Sequence, residues 1–144
     1  MVCYRSNDDH MTIDRLDHLV LNVRDVEASA AWYQRVLGLE RITFAPAQRP
    51  DSKRTALAFG NQKLNLRPVD ADPAAWTTAV SATIGAEDLC FITTDEPEMV
   101  IEHMRACSVD VVEGPVPRQG ALGPMTSVYC RDPDGNLIEV ASYP

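Results

Sequence analysis

The segment Asp132-Pro133-Asp134-Gly135-Asn136-Leu137-Ile138-Glu139 decides the fold, because a tight turn in it leads directly into an apolar strand. Its Asp, Pro and Gly residues are types that favour turns, each through its own backbone preference. Strand-forming residues flank the turn over 125–131 and 136–142. The sequence therefore predicts that the chain ends in a β-hairpin.

The hairpin is the last part of a longer pattern in the second half of the chain. A strand over 88–93 is followed by Asp95, Pro97 and Glu98, a helix-start signature whose capping-box-like spacing predicts Asp95 as the capping residue. We expect a further strand over 109–112. The tract 114–124 holds three prolines and three glycines and is predicted to be a loop.

The first half of the chain has the same pattern. A strand over 16–23 leads into a helix with Asp25 as the predicted N-cap and Gly38 as the predicted C-cap. Three more strands are predicted, over 39–44, 54–59 and 62–67, with Gly60-Asn61 as the turn between the last two.

A constant offset of 70 positions relates the two halves. It relates three pairs of residues: His18 and Asp88, Asp25 and Asp95, and Gly38 and Ser108. A repeated strand–helix–three-strand unit predicts an internally duplicated α+β fold. We assign a single domain over 1–144, with a first module over about 13–70, a linker over 71–86 and a second module over about 87–143.

The composition narrows the possible function classes. The chain has 144 residues, of which 45% are hydrophobic and 24% charged, and its net charge is −8 at pH 7. Binding to nucleic acid or to an anionic membrane is not expected, because phosphate contact requires clustered Lys and Arg. No apolar run approaches the roughly 20 residues of a membrane-spanning helix. Residues 1–10 contain no apolar stretch, so we predict no secretory signal and a cytoplasmic location.

The cysteines are scattered along the chain. Cys3, Cys90, Cys107 and Cys130 have no paired spacing, so they predict no structural zinc site. The last three lie among apolar neighbours, and we predict that they are reduced residues of the core.

Three motifs stand out along the chain: DHLVLNV over 17–23, WYQRVLGL over 32–39 and DPDGNLIE over 132–139. They resemble those of the vicinal oxygen chelate superfamily, which includes glyoxalase I, extradiol dioxygenases, fosfomycin-resistance enzymes, methylmalonyl-CoA epimerase and bleomycin-binding proteins. The segments 113–118 and 127–129 are similar to a glyoxalase-like subgroup. The resemblance runs from about residue 13 to residue 143. It implies two tandem βαβββ modules that form a curled mixed sheet around a cavity, usually in a homodimer.

The resemblance also implies a site for a divalent metal ion. Carried over residue by residue, the metal ligands are His18, Asn65, Asp88 and Glu139. Asp88 stands where many relatives have His, and Asn65 where glyoxalase I and the epimerase have Glu, Gln or a similar residue. Imidazole and carboxylates suit Mn, Fe, Ni or Zn, whereas the amide oxygen of asparagine is a weaker, neutral donor.

Other residues of these strands are candidates for catalysis and substrate binding. Glu139 is the predicted general base, since two large aliphatic residues flank it and a buried carboxylate requires a cation or a proton. Arg67 shares a strand face with Asn65 and is predicted to bind an anionic group. Arg118 and Tyr129 are predicted to close over the ligand. Each residue also has a structural interpretation, as a core or solvent-facing side chain.

Two function classes stay open for a small-molecule ligand. The first is a metal-dependent enzyme of the glyoxalase type, which isomerises, cleaves or adds to a small oxygenated or thiol-conjugated molecule; His18 and Glu139 favour it. The second is a metal-free protein that sequesters a small molecule, as in bleomycin resistance; the departures at Asn65 and Asp88 favour it. An extradiol dioxygenase is less expected, because it needs two His ligands and this set offers one.

Overall fold

The computed structural model describes residues 11–144. The first half contains β1 (His18–Val23), α1 (Val26–Leu37), β2 (Glu40–Phe44), β3 (Arg54–Phe59) and β4 (Gln62–Pro68). The second half contains β5 (Asp88–Ile92), α2 (Pro97–Ala106), β6 (Glu113–Gly120), β7 (Gly123–Arg131) and β8 (Leu137–Ser142). The predicted absence of a secretory signal and Cys3 both concern residues outside the described part.

Each half of the chain forms its own four-stranded sheet. The strand orders are β1-β4-β3-β2 and β5-β8-β7-β6, so β1 and β5 are edge strands at corresponding positions. Both sheets are mixed, because β1 pairs with β4 and β5 with β8 in parallel while the other pairs are antiparallel. The predicted α+β class with two βαβββ modules is confirmed, and the two sheets are not closed into a barrel.

Side-chain alternation gives each sheet one apolar face and one more polar face. In the first sheet, Leu21, Val23, Leu64 and Leu66 are buried in the core and α1 packs against this sheet. In the second sheet, Val128, Cys130, Ile138 and Val140 join the same core as Val100 and Met104 of α2. The helices therefore cover the apolar faces, and the functional candidates lie on the other faces.

The helix ends differ in how well the sequence predicted them. Asp25 accepts a hydrogen bond from the Ala28 amide at 3.0 Å, and Gly38 ends α1 at φ 66°, so both predicted caps are confirmed. In α2 the N-cap is Glu96, which makes no side-chain capping bond, so the predicted cap at Asp95 is wrong. The Asp95 amide instead donates to the Thr93 hydroxyl at 3.1 Å.

The region after α2 corrects two predictions. Residues 109–112 do not form a strand, and the tract 114–124, predicted to be a loop, lies largely in β6 and β7. The prolines of β6 are tolerated because β6 is an edge strand bonded to β7 alone, where a missing N–H can face solvent. A register shift between Glu113 and Val116 accommodates the start of this strand.

A few polar contacts join the two modules. The Tyr33 hydroxyl of α1 donates to the buried Asp132 carboxylate of the β7–β8 turn at 2.7 Å. Asp132 also accepts hydrogen bonds from the Asn136 side chain and from the backbone amides of Asp134 and Asn136. The β7–β8 turn is thus one of the places where the second module contacts α1, together with the hydrogen bonds of Arg35 with the Cys107 carbonyl and of His103 with the Val36 carbonyl.

Cysteine burial agrees with the sequence only in part. Cys130 is buried and Cys107 half-buried, and neither is in a disulfide. Cys90 is exposed, so its predicted place in the core is wrong. Cys90 lies on the more polar face of the edge strand β5, where every second residue of the strand is exposed. Among residues 11–144, no helix is long and apolar enough to cross a membrane.

Candidate functional site

The strand registers show which positions of the two modules are equivalent. His18 pairs with Lys63 across β1 and β4, and Asp88 pairs with Leu137 across β5 and β8. Two residues further along, Val20 pairs with Asn65 and Cys90 with Glu139. Asn65 and Glu139 therefore occupy the same place in their modules, as do His18 and Asp88.

Glu139 is a buried carboxylate with an ordered set of partners. Its side chain is 9% exposed, and Oε1 accepts a hydrogen bond from the Tyr129 hydroxyl at 2.6 Å. Arg118 Nε donates to the same hydroxyl at 2.9 Å, and its guanidinium also donates to Glu113 at 3.1 Å. The structure thus brings together three residues of the predicted site, in a chain from Arg118 through Tyr129 to Glu139.

These partners keep Glu139 ionised. Burial raises the pKa of a carboxyl group. The Tyr129 hydrogen bond, the neighbouring Ser127 and Cys90 side chains and the charge of Arg118 together outweigh burial and lower the pKa of Glu139 below its usual value. Partial desolvation of the sulfur atom, together with the hydrogen bond and charge of the adjacent Glu139, raises the pKa of the Cys90 thiol to about 12, so this cysteine is a neutral thiol at pH 7 although the residue is exposed.

Asn65 has no such partners. Its side chain is 6% exposed, and its Oδ1 atom is buried without a hydrogen bond. Val20 and Ala56 are its cross-strand neighbours, and neither side chain can donate a hydrogen bond. A buried acceptor without a donor costs free energy. The amide oxygen is therefore suited to a cation or to a donor group of a ligand.

The other two predicted metal ligands are exposed. His18 Nδ1 lies 2.8 Å from the Asp17 carboxylate, and Asp88 lies at the start of β5. A groove of about 370 Å³ between β1 and β5 is lined by His18 and Cys90, with apolar residues around them. Within residues 11–144, no three His, Cys, Asp or Glu side chains come together as a metal-binding group. The gathering of the four ligands around one ion stays a prediction.

The guanidinium of Arg67 is hydrogen-bonded to other groups of this chain. It is 1% exposed and donates to the carbonyl oxygens of Ala71 and Trp76 and to Asn22 Oδ1. The predicted role of Arg67 in binding an anion stays a prediction.

Sequence reasoning missed two side chains close to Glu139. Cys90 is its cross-strand neighbour on β5, and Ser127 lies on β7 with a buried hydroxyl near the Glu139 carboxylate. Alternation was the available signal for Cys90, because Asp88 lies two positions earlier on the same face. For Ser127 no local pattern distinguished it from the core residues around it.

A duplicated βαβββ fold that carries candidate ligand positions on equivalent strands of both modules defines the vicinal oxygen chelate class of proteins. The chain belongs to the Glyoxalase/Bleomycin resistance protein/Dioxygenase superfamily, whose sequence profile matches residues 15–140.

Comparisons with individual proteins agree with this assignment. Virulence protein STM3117 of Salmonella typhimurium is 43% identical over 135 residues, which cover 92% of this chain and 87% of that protein. Its crystal structure superposes with a TM-score of 0.83 over 93% of this chain and all of that chain.

Two solved structures of lower sequence identity share the fold, and their functions differ from each other. A lactoylglutathione lyase from Agrobacterium tumefaciens has 24% identity and a TM-score of 0.68, with 91% of this chain and 95% of that chain covered. The antibiotic-binding protein TnmS3 from Streptomyces sp. CB03234 has 20% identity and a TM-score of 0.69, with 94% and 100% covered. At these identities the likeness concerns the fold alone.

Proposed function

We propose that this protein is a divalent-metal-dependent enzyme of the glyoxalase type that acts on a small oxygenated or thiol-conjugated molecule by isomerisation, lyase or addition chemistry. The observation that carries the proposal is the pair of acceptor groups at equivalent positions of the two modules. Glu139 is held as an anion, and Asn65 Oδ1 is buried without a donor. Both groups are satisfied by a cation.

The residues present have suitable chemistry for such an ion. His18, Asp88 and Glu139 would supply an imidazole and two carboxylates, and Asn65 an amide oxygen, a set that suits Mn, Fe, Ni or Zn. The Tyr129 hydroxyl donates a hydrogen bond to Glu139. Hydrogen bonds of this kind orient metal-binding carboxylates.

A second copy of the chain would complete this site. Within the described part of one chain, three of the candidate groups do not come together. Within residues 11–144, the edge strands β1 and β5 are both without a hydrogen-bonded neighbour on one side, and each carries one of the exposed candidates. An exposed strand edge is a ready surface for a partner. We therefore propose a homodimer in which each copy supplies ligands to a shared ion.

When bound, the ion would stabilise negative charge that develops on a substrate oxygen. Glu139 would act as the general base or as a ligand through Oε2, since Oε1 is engaged by Tyr129. Tyr129 and Arg118 would hold this carboxylate in one orientation, and the Cys90 thiol would border the substrate. The proposed ligand is a small molecule, without nucleic acid or membrane as partners, and the free cysteines support a cytoplasmic location.

A metal-free binding protein is the second candidate. The observation in its favour is that no three His, Cys, Asp or Glu side chains gather within residues 11–144, while the groove between β1 and β5 has apolar walls that include Leu19, Leu64 and Leu89. Apolar walls with a few polar groups are typical of small-molecule sites.

Elemental analysis of protein purified without chelator separates the two candidates. We expect close to one equivalent of a divalent metal in the native protein and a loss of at least tenfold in His18→Ala and Glu139→Gln. The exposed Glu102 of α2 offers a matched control, since Glu102→Gln removes the same charge at a distance from the site. Sub-stoichiometric metal that neither variant changes would refute the enzyme proposal and favour metal-free binding.

Light scattering tests the proposed assembly separately. A mass of twice the 15.9 kDa chain is expected for the metal-loaded protein. A monomer that retains a full equivalent of metal would refute the shared site while leaving the metal dependence intact.

A further inference from the structure

A cluster of three arginines holds the linker against the first module. Arg49 donates to the carbonyl oxygen of Ala74, Arg54 to that of Ala75, and Arg67 to those of Ala71 and Trp76. These carbonyls lie in or next to a single turn, in which the amides of Ala75 and Trp76 donate to the carbonyl of Asp72. One short segment thus attracts three positive charges.

The arginines are close to one another and lack acidic partners. Thr55 pairs with Leu66, so Arg54 and Arg67 lie opposite each other at the next position of β3 and β4. Like charges at such positions repel each other. Burial, followed by the charges of Arg49 and Arg67, lowers the pKa of Arg54. Among residues 11–144, no carboxylate lies within ion-pair distance of any of the three.

A pocket lies beside this cluster. It has a volume of about 230 Å³ and is lined by the polar residues Ser52, Lys53, Arg54 and Thr55, by Trp76, and by apolar residues that include Val26, Leu66 and Pro68. We refer to it as the linker pocket. The Arg54 guanidinium lies 3.9 Å over the centre of the Trp76 ring, which fixes its plane.

The linker pocket has unused donors. A guanidinium carries five N–H groups, and among residues 11–144 that of Arg54 makes one hydrogen bond, to the Ala75 carbonyl, which leaves its other terminal N–H groups free; its Nε atom is buried without a partner. Lys53 is exposed, and its ammonium group forms no salt bridge with the described residues. Two cations and two hydroxyl groups therefore border a cavity large enough for one small polar group.

We propose that the linker pocket binds the oxyanion group, phosphate or carboxylate, of a small molecule. An oxyanion would offset the positive charges of Lys53 and Arg54, which line the pocket, and accept hydrogen bonds from the Lys53 ammonium group and from the Arg54 N–H groups that Ala75 does not occupy. Guanidinium forks match the oxygens of phosphate and carboxylate in geometry and charge. The proposal does not depend on the metal site, because none of these residues belongs to the proposed ligand set.

Two-dimensional ¹H–¹⁵N NMR tests the proposal on the intact protein, since its two tryptophans give two indole signals. The chelator-treated protein is titrated with inorganic phosphate, and separately with succinate, at constant ionic strength. We expect a saturable shift of the Trp76 indole signal with at least one of these anions and no shift of Trp32. The anion that saturates identifies the oxyanion.

Charge-removing variants make the test specific. Lys53→Gln should weaken binding at least fivefold without loss of stability, and Arg54→Gln should weaken it further. Arg105→Gln, a matched loss of one charge on the exposed side of α2, should leave the affinity unchanged. The absence of a saturable shift with both anions, or equal affinity in Lys53→Gln and Arg105→Gln, would overturn the proposal.

Discussion

The two modules share one fold but differ in charge on their open faces. In the second module, the position at the centre of β8 carries an ionised carboxylate that Tyr129 and Arg118 hold in place. In the first module, the equivalent position carries Asn65, whose amide oxygen has no partner, and the end of the same strand lies next to the arginine cluster.

This difference indicates that the two modules share one arrangement of helix and strands but carry different functional groups on their open faces. The apolar residues that face the helices are similar in both modules, because each sheet must bury one face. The residues on the open faces are free of that requirement. One module therefore supplies negative charge, and the other supplies positive charge and neutral acceptors.

The two hairpin turns should show the largest difference in stability. Asp132→Ala removes the acceptor of four hydrogen bonds in the second module and should lower the free energy of unfolding by about 3–5 kcal/mol. The Gly60-Asn61 turn of the first module has no corresponding carboxylate. Urea unfolding measures the loss, and the exposed Asp95→Ala is the control, with a change within about 0.5 kcal/mol. Equal losses in both variants would contradict the assigned role of Asp132.

The bracing of Glu139 should appear as a pH-dependent effect. The lowered pKa of Glu139 means that its ionised form stabilises the fold above the pKa of the unfolded chain, and that this contribution is lost as the pH falls through the lower folded value. Tyr129→Phe removes the donor and leaves burial, which raises the pKa. We expect a loss of about 2 kcal/mol at pH 7 and a smaller loss below pH ~4.

The control for this prediction is Tyr129→Phe in a Glu139→Gln background. There the loss on urea unfolding should no longer depend on pH, because the titrating partner is absent. A pH-independent loss in the native background would show that Tyr129 acts by packing alone.

For Asn65, whose amide oxygen has no hydrogen-bond partner among the described residues, we expect substitution to raise the free energy of unfolding rather than lower it. Asn65→Leu replaces a buried unbonded acceptor by an apolar side chain of similar size and should raise the stability of the metal-free protein by about 1–2 kcal/mol. The same variant should bind the metal more weakly. Thermal unfolding with and without metal measures both effects, and a destabilised apo protein would mean that the oxygen has a partner.

The helix ends provide the smallest comparison. Gly38 ends α1 at φ 66°, and Ser108, which is 70 positions later, has φ 57° after α2. Side chains other than glycine are strained in this region. Gly38→Ser should therefore cost about 1 kcal/mol, and Ser108→Gly should gain less than about 1 kcal/mol, because glycine also gains entropy in the unfolded chain. Urea unfolding of both variants checks the opposite signs.

Local patterns predicted the elements but not their assembly. The caps at Asp25 and Gly38 and most strand limits follow from interactions within a few residues, and these predictions are confirmed. β6 was missed because its prolines oppose a strand everywhere except at a sheet edge, and the edge position depends on the whole topology.

For the candidate site, too, local patterns predicted positions within a strand but not long-range contacts. Alternation correctly placed Asn65 and Arg67 on one face, but could not show that Arg67 is committed to the linker. The relation between the modules depends on contacts such as Tyr33 with Asp132, which are 99 positions apart. No periodicity in the sequence encodes such a pair.

The hydrogen bonds from the arginines to the linker limit the distance that the linker can span between the two modules. Because the chain is fastened to the first module as far as Trp76, only the ten residues 77–86 remain as a tether before Glu87, whose amide donates to the Asn136 side chain of the second module. Fully extended, ten residues span at most roughly 33–36 Å. That distance is the limit within which the second module can lie from the first, to which the hydrogen bond between Tyr33 and Asp132 joins it.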